Sequence, residues 1–188
     1  MTDRLLSHAI AEGDGISLVA TVEDAEAARA AQAAGAEGVL VRSGLEDRLV
    51  GIREAVSLPI LFFWDFENAD RLTGADACII DVRNSSNLEW IEHGHLELAD
   101  FELALRVKDE EQLEAVLERF DPELFVLAGT LEQVHELLAE VPAGKLVLAE
   151  LPSPTMEEVE ELERAGVDAV IVHAADVSPL AGEPPPEV

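Results

Sequence analysis

The chain predicts an α/β fold, a compact single-domain (β/α)8 barrel with a reduced last helix. Three segments carry that prediction: Gly35-Ala36-Glu37-Gly38-Val39-Leu40-Val41, Gly74-Ala75-Asp76-Ala77-Cys78-Ile79-Ile80 and Gly166-Val167-Asp168-Ala169-Val170-Ile171-Val172. Each has a glycine, a small residue, an acid, another small residue and then an apolar run. Glycine ends a helix cheaply in the left-handed conformation. A short apolar run of this kind suits a strand buried on both faces. A helix that stops at glycine and turns into a buried strand is half of a βαβ unit, and its repetition along one chain points to a parallel, closed sheet.

The elements follow in order. Residues 3–12 read as a leading helix, and Ile16 to Val22 as the first strand. An alanine-rich helix from Asp24 to Ala34 leads to strand Gly38–Val41. Leu45 to Val56 carries Leu49, Ile52, Arg53 and Val56 at helical spacing. Pro59 opens strand Ile60–Phe63; a short helix, Ala69–Leu72, precedes strand Ala77–Val82. Asn87 caps a brief helix, Leu88–Glu92, ahead of strand Phe101–Val107. Asp109 caps a helix to Phe120 whose Leu113, Val116 and Leu117 share a face. Strand Leu124–Leu127, helix Leu131–Val141 and strand Leu146–Ala149 come next. Thr155, with Glu158 three residues on, forms a capping box ahead of the last strand, Ala169–Val172. Residues 1–15 thus read as helix and linker, 16–177 as the barrel, and 178–188 as a flexible proline-rich tail, because Gly182-Glu183-Pro184-Pro185-Pro186 cannot continue a helix.

Composition narrows the function. Forty acids oppose 12 basic residues, a net charge of −28. Such a surface repels nucleic acid and anionic membranes, so neither is an expected partner. Glu outnumbers Asp about two to one, which fits the residue bias of a GC-rich genome better than salt adaptation; both readings stay open. Glu157-Glu158-Val159-Glu160-Glu161 reads as a solvated helix face. No apolar run approaches the ~20 residues that span a bilayer. The N-terminus has no basic leader before an apolar core, and Cys78 is the single cysteine; both features predict a cytoplasmic protein without an internal disulfide.

The chain resembles the indole-3-glycerol-phosphate synthase family over roughly Ile16 to Val177. The matching stretches are Ile52-Arg53-Glu54-Ala55-Val56-Ser57-Leu58-Pro59-Ile60-Leu61 with Asp65-Phe66 beyond, Gly74–Ile80, Arg106-Val107-Lys108-Asp109-Glu110-Glu111-Gln112-Leu113, and Glu157-Glu158-Val159 through Gly166–Val172. The resemblance implies a phosphate-binding TIM barrel of tryptophan biosynthesis, a lyase with its site at the strand C-termini. It also implies catalytic residues that this chain lacks. The family's Glu-x-Lys pair ending the first strand is replaced within Ala20-Thr21-Val22-Glu23. Its general-acid lysine is missing from Phe63-Trp64-Asp65-Phe66. Its strand-five glutamate falls on Arg106, its Asn-Asn-Arg on Ala128-Gly129-Thr130, and its Glu-Ser-Gly on Glu150-Leu151-Pro152. His173 and Ala174 stand where the family has glycine and glutamate. Pro152 and Pro154 offer no N–H to the backbone phosphate cradle the family builds there. The ring closure, which needs an acid and a base, is therefore not expected.

Strand alternation gives the candidate site. Glu102, Ala104 and Arg106 share one face of the fifth strand and its apolar residues the other, so Arg106 points into the barrel. The same parity turns Glu150 inward with Leu146 and Leu148, and His173 inward with Ala169 and Ile171. Arg42, Asp65 and Asp81 close strands two, three and four, with Arg83 just after Asp81. As a functional mouth, Arg42, Asp65, Asp81 and Arg106 would bind a small anionic metabolite, and Glu150 with His173 would exchange protons. As an internal salt-bridge network, the same residues would merely plug the barrel. The first reading makes the protein a divergent barrel enzyme; the second makes it a non-catalytic scaffold, binding or regulatory protein.

No cofactor motif is visible. His93-Gly94-His95, even with Glu92, falls short of a metal-ligand set, and Asp65 with Asp81 offers only two carboxylates to a divalent cation; no metal is expected. Trp64 and Trp90 read as packing residues.

Overall fold

A computed structural model describes residues 5–12, 15–64, 72–83, 88–89, 91–92 and 101–181. Eight strands form one closed parallel barrel in sequence order. They are β1 (Ser17–Val22), β2 (Gly38–Arg42), β3 (Ile60–Trp64), β4 (Ala77–Asp81), β5 (Glu102–Val107), β6 (Leu124–Ala128), β7 (Leu146–Glu150) and β8 (Ala169–His173). Closure is made by β8 against β1, with Ser17 opposite Ala169 and Thr21 opposite His173. The helices are α1 (Leu5–Ala11), α2 (Ala25–Ala33), α3 (Leu49–Ala55), α4 (Glu110–Arg119), α5 (Leu131–Glu140), α6 (Met156–Ala165) and α7 (Val177–Leu180). Leu88, Glu89, Ile91 and Glu92 are also helical. The (β/α)8 expectation holds, including the reduced last helix: a 3-10 turn, Ala174–Asp176, runs into the four residues of α7.

The strand periodicity of two sorts the apolar residues into two cores. Val19, Leu40, Leu61, Ile79, Ala104, Val126, Leu148 and Ile171 fill the lumen. Their alternates, among them Val39, Phe62, Ile80, Leu105, Phe125 and Val170, pack outward against the helices. The lumen is sealed at the N-terminal end of the strands by α1, whose Leu6 and Ile10 join the inner core. Glu102, at the start of β5, holds that helix: its carboxylate accepts the N–H of Leu6 at 2.9 Å and the N–H and hydroxyl of Ser7.

The repeated glycine–acid segments do the work their pattern predicts. Gly35, Gly74 and Gly166 all have left-handed backbones (φ +102°, +106° and +95°). Asp76 accepts the N–H of Ile60 and a 2.8 Å bond from Arg53, and Asp168 accepts the N–H of Val147. Each of these two acids thus caps the neighbouring strand, at the end of the barrel far from the mouth.

Two departures from the sequence reading have physical causes. The helix expected over 45–56 splits into a 3-10 turn, Glu46–Arg48, and α3, because neither start has a side-chain cap and the early amides close i→i−3 bonds such as Arg48 N–H to Leu45 O. Five strands also run one residue past the expected C-terminal end. Arg42, Trp64, Ala128, Glu150 and His173 each extend the ladder by one residue. Three of those five are polar residues at the mouth. Of the short helix expected over Ala69–Leu72 only Leu72 is described; the Asn87 cap, Trp90, His93, His95 and the tail 182–188 lie outside the described residues.

Candidate functional site

The site is built at the C-terminal ends of the strands, where inward-pointing positions no longer find an apolar lumen. Register aligns Arg106 of β5 with Asp81 of β4 on one side and Val126 of β6 on the other. Glu150, on β7, stands one inward position above Leu148, the partner of Val126. Arg106 spans the gap. Its Nη1 donates to Asp81 Oδ1 at 2.6 Å, and its Nε donates to Glu150 Oε2 at 2.5 Å. Arg42, the last residue of β2, donates from Nη2 to the other Glu150 oxygen at 2.7 Å. Arg83 Nε donates to the other Asp81 oxygen at 2.8 Å. The result is one alternating chain of charge: Arg42, Glu150, Arg106, Asp81, Arg83.

An aromatic floor supports it. The ring of Phe63, inward on β3 and opposite Arg42 in register, lies 5.2 Å from the Arg42 guanidinium and 5.7 Å from that of Arg106. Cation–π attraction at these distances holds both planar groups without taking up their hydrogen-bond donors. The core members are largely withdrawn from water: the side chains of Arg106, Asp81 and Glu150 are 12%, 8% and 14% exposed, against 42% for Arg42. Burial pushes the Asp81 carboxyl up, but hydrogen bonds from Arg83 and Arg106 outweigh it and hold the group below the usual carboxylate range. Glu150 behaves alike: burial raises it, Arg42 and Arg106 lower it, and the net shift is downward. Burial disfavours the Arg106 charge, but Glu150 and Asp81 more than restore it and raise its value.

Above this network lies a cavity of about 310 Å³, lined by Thr21, Arg42, Arg106, Lys108, Glu150 and His173 on its polar side and by Leu151, Pro152, Pro154 and Ile171 on its apolar side. Its size is at the small end of ligand pockets (roughly 300–1,000 Å³). Four of the chain's 12 basic residues, Arg42, Arg83, Arg106 and Lys108, gather at this mouth. Lys108, two residues beyond Arg106 and just past the end of β5, makes no salt bridge among the described residues, and its charge helps to lower the Asp81 carboxyl.

Of the six residues predicted for the site, Arg42, Asp81, Arg106 and Glu150 meet in the network, and His173 stands at the rim, exposed. No hydrogen bond joins His173 to Glu150 among the described residues. Asp65 lies outside those residues. Sequence reasoning left out Phe63, Thr21 and Lys108. Strand parity could have found Phe63, two residues from inward Leu61, and Lys108, two from Arg106. The same parity could have found Thr21, two residues from inward Val19. Among the described residues no group of three or more His, Cys, Asp or Glu is placed to hold a metal ion. None of their helices is long and apolar enough to cross a membrane.

No protein-family model and no curated protein sequence matches the chain. Solved structures do match it. Phosphoenolpyruvate phosphomutase from Streptomyces platensis subsp. rosaceus superimposes with a TM-score of 0.72 and 15% identity, over 94% of this chain and 82% of that one. Thiamine phosphate pyrophosphorylase from Pyrococcus furiosus gives 0.68 and 14%, over 87% of each chain. The aldolase QR15 gives 0.66 and 15%, over 87% of this chain and 91% of its own. At such identities the likeness is one of fold: the chain is a single-domain TIM barrel.

Proposed function

We propose that this barrel binds, and as an enzyme acts on, a small anionic metabolite at the C-terminal mouth. The observation that carries the reading is the gathering of Arg42, Arg106 and Lys108 around one cavity in a chain of net charge −28. A buried network that only plugged the barrel would need as many cations as anions. Among the described residues Arg42 donates only from Nη2 and Lys108 makes no salt bridge, which leaves donors at the mouth for something that enters from solvent. The names of two structural neighbours, a thiamine phosphate pyrophosphorylase and a phosphoenolpyruvate phosphomutase, agree with a small anion at the mouth of this fold. Active sites of such barrels sit at this end.

Kinship with indole-3-glycerol-phosphate synthase is part of the proposal, supported by the framework segments from Ile52 to Leu61 and from Gly166 to Val172. The ring closure of that family is not, because both lysines that would serve it are replaced. Glu150, held ionised between two arginines, positions them and is a poor proton carrier at neutral pH; proton transfer falls to His173. Binding without turnover is the second reading, favoured by the commitment of both Asp81 and Glu150 to arginines. The test is a thermal-shift screen against phosphorylated sugars, anthranilate derivatives and simple carboxylic acids, at low and at molar salt. A ligand at a hundred times its Kd adds ~2.7 kcal/mol of stability. The expected result is a stabilising anion whose effect disappears in Arg42→Ala; a screen without hits in either salt would sink the proposal.

A further inference from the structure

The donors at the mouth are unevenly distributed, and the unevenness discriminates between anions. A tetrahedral phosphate is commonly seated by several backbone N–H groups at a loop or helix start. On the loops after β6 and β7 most of those groups are spent or absent, although the 3-10 turn after β8 begins without a side-chain cap. Gly129 donates its N–H to Glu150 O at 3.1 Å, closing the β6–β7 ladder. Thr130 N–H is taken by the Gln133 side chain, and Gln133 N–H by Thr130 Oγ1, in the capping box of α5. On the next loop Pro152 and Pro154 have no N–H. Thr155 N–H and Oγ1 both go to Glu158 Oε2, so the protein's own carboxylate occupies the start of α6, with Glu157 beside it. An added phosphate there would meet negative charge rather than a cradle.

The side-chain donors that remain suit a different head group. Among the described residues Arg42 donates one bond, from Nη2 to Glu150; the second proton of that nitrogen, paired with Nε or with Nη1, leaves an edge that matches a planar carboxylate in two parallel bonds, with the Phe63 ring 5.2 Å away. Lys108 adds a single point charge. Counting the pocket's Arg42, Arg106, Lys108 and Glu150 with Asp81, which Arg106 carries, the formal sum is +1, enough for a monoanion; Arg83, 65% exposed, lies outside the lining. Leu151, Pro152, Pro154 and Ile171 form an apolar wall for the body of the ligand.

Resting on the anion-binding reading above, we infer that the ligand is an organic carboxylate with an apolar body, held by Arg42 and Lys108, rather than a phosphate ester. The experiment compares a matched pair by isothermal titration calorimetry on the full chain: 3-phenylpropanoate and 2-phenylethylphosphonate, with 3-phenylpropanamide as the uncharged control. The expected result is a preference of about tenfold for the carboxylate over the phosphonate, with no measurable binding of the amide. Arg42→Ala and Lys108→Ala should each weaken the carboxylate by about tenfold. Lys108 is outside the salt-bridge network, so its variant folds as the parent does and keeps the test decisive if Arg42→Ala does not. Equal or tighter phosphonate binding would overturn the carboxylate assignment and leave the anion site standing. Carboxylate binding that neither variant alters would place the ligand elsewhere and overturn it too. Binding of neither anion would overturn both this inference and the reading it rests on.

Discussion

Arg106 and Glu150 are two strands apart around the barrel, yet their side chains meet at 2.5 Å over the end of β6. That contact ties β5 to β7 where the lumen opens to water. Both groups are largely buried, so each is costly without the other. Removing one partner of a buried pair typically costs 3–5 kcal/mol, because the survivor stays charged in a poor solvent. Glu150→Ala strands two guanidiniums, although Arg42 can turn to water. We expect a loss of about 3 kcal/mol by urea denaturation. The Arg106→Ala/Glu150→Ala double variant should fall short of the sum of the single costs by about 1–3 kcal/mol. Simple additivity would show that the two side chains do not interact in solution.

The same network sets an acid limit on stability. Asp81 and Glu150 are held below the usual carboxylate range in the folded state. Between the folded and unfolded values the unfolded chain binds more protons, so stability rises with pH there. The contribution is fully present above the unfolded carboxylate range, roughly pH 4, and is lost as pH falls through the lower folded values. Asp168 has the opposite sign. Burial raises its carboxyl, against the single N–H of Val147 that lowers it. Its charge costs stability at neutral pH, and acid relieves that cost. Melting curves from pH 7 to pH 3 separate the two. Glu150→Gln should melt lower than the parent at pH 7 and lose less on acidification. Asp168→Asn keeps an acceptor for Val147 and should melt higher at pH 7, with the gap closing in acid.

Much of this was legible in the chain because it depends on local rules. Three left-handed glycines and short apolar runs predict eight strands, and strand parity alone turns Arg106, Glu150 and His173 inward. What parity cannot supply is the partner. That Glu150 serves Arg42 as well as Arg106 depends on barrel closure and the stagger of strands far apart in sequence. The strands run a residue past their apolar pattern at Arg42, Glu150 and His173 for a related reason. A polar residue ends an apolar pattern but not a hydrogen-bonded ladder, and at a barrel mouth the two differ. Phe63 reads as one more core aromatic until two guanidiniums are found resting on it.

The repeated glycines are unequal, and substitution should rank them. Gly74 and Gly166 have nearly the same left-handed backbone, so alanine pays roughly 1–2 kcal/mol of conformational strain at either. At Gly166 an added Cβ meets nothing within 4 Å, whereas at Gly74 it comes within 3.4 Å of the Leu49 carbonyl oxygen. Backbone cannot step aside as a side chain can. Gly74→Ala should therefore destabilise more than Gly166→Ala in chemical denaturation, and the reverse order would mean that α3 is free to shift.

At the other end of the barrel, Glu102 decides whether α1 stays docked. The helix has seven residues, too few to be stable alone. It persists because Leu6 and Ile10 complete the inner core and because the Glu102 carboxylate receives the N–H groups of Leu6 and Ser7 at its first turn. These supports are separable. Leu6→Ala leaves a cavity under the lumen and should cost about 3 kcal/mol of global stability. Glu102→Ala removes the acceptor but leaves the apolar plug, so its main effect is local: the amides of α1 should lose hydrogen-exchange protection well before those of the strands. Amides of α1 and β5 that exchanged together in Glu102→Ala would show instead that helix and barrel open as one unit, with the plug contributing to every strand it touches.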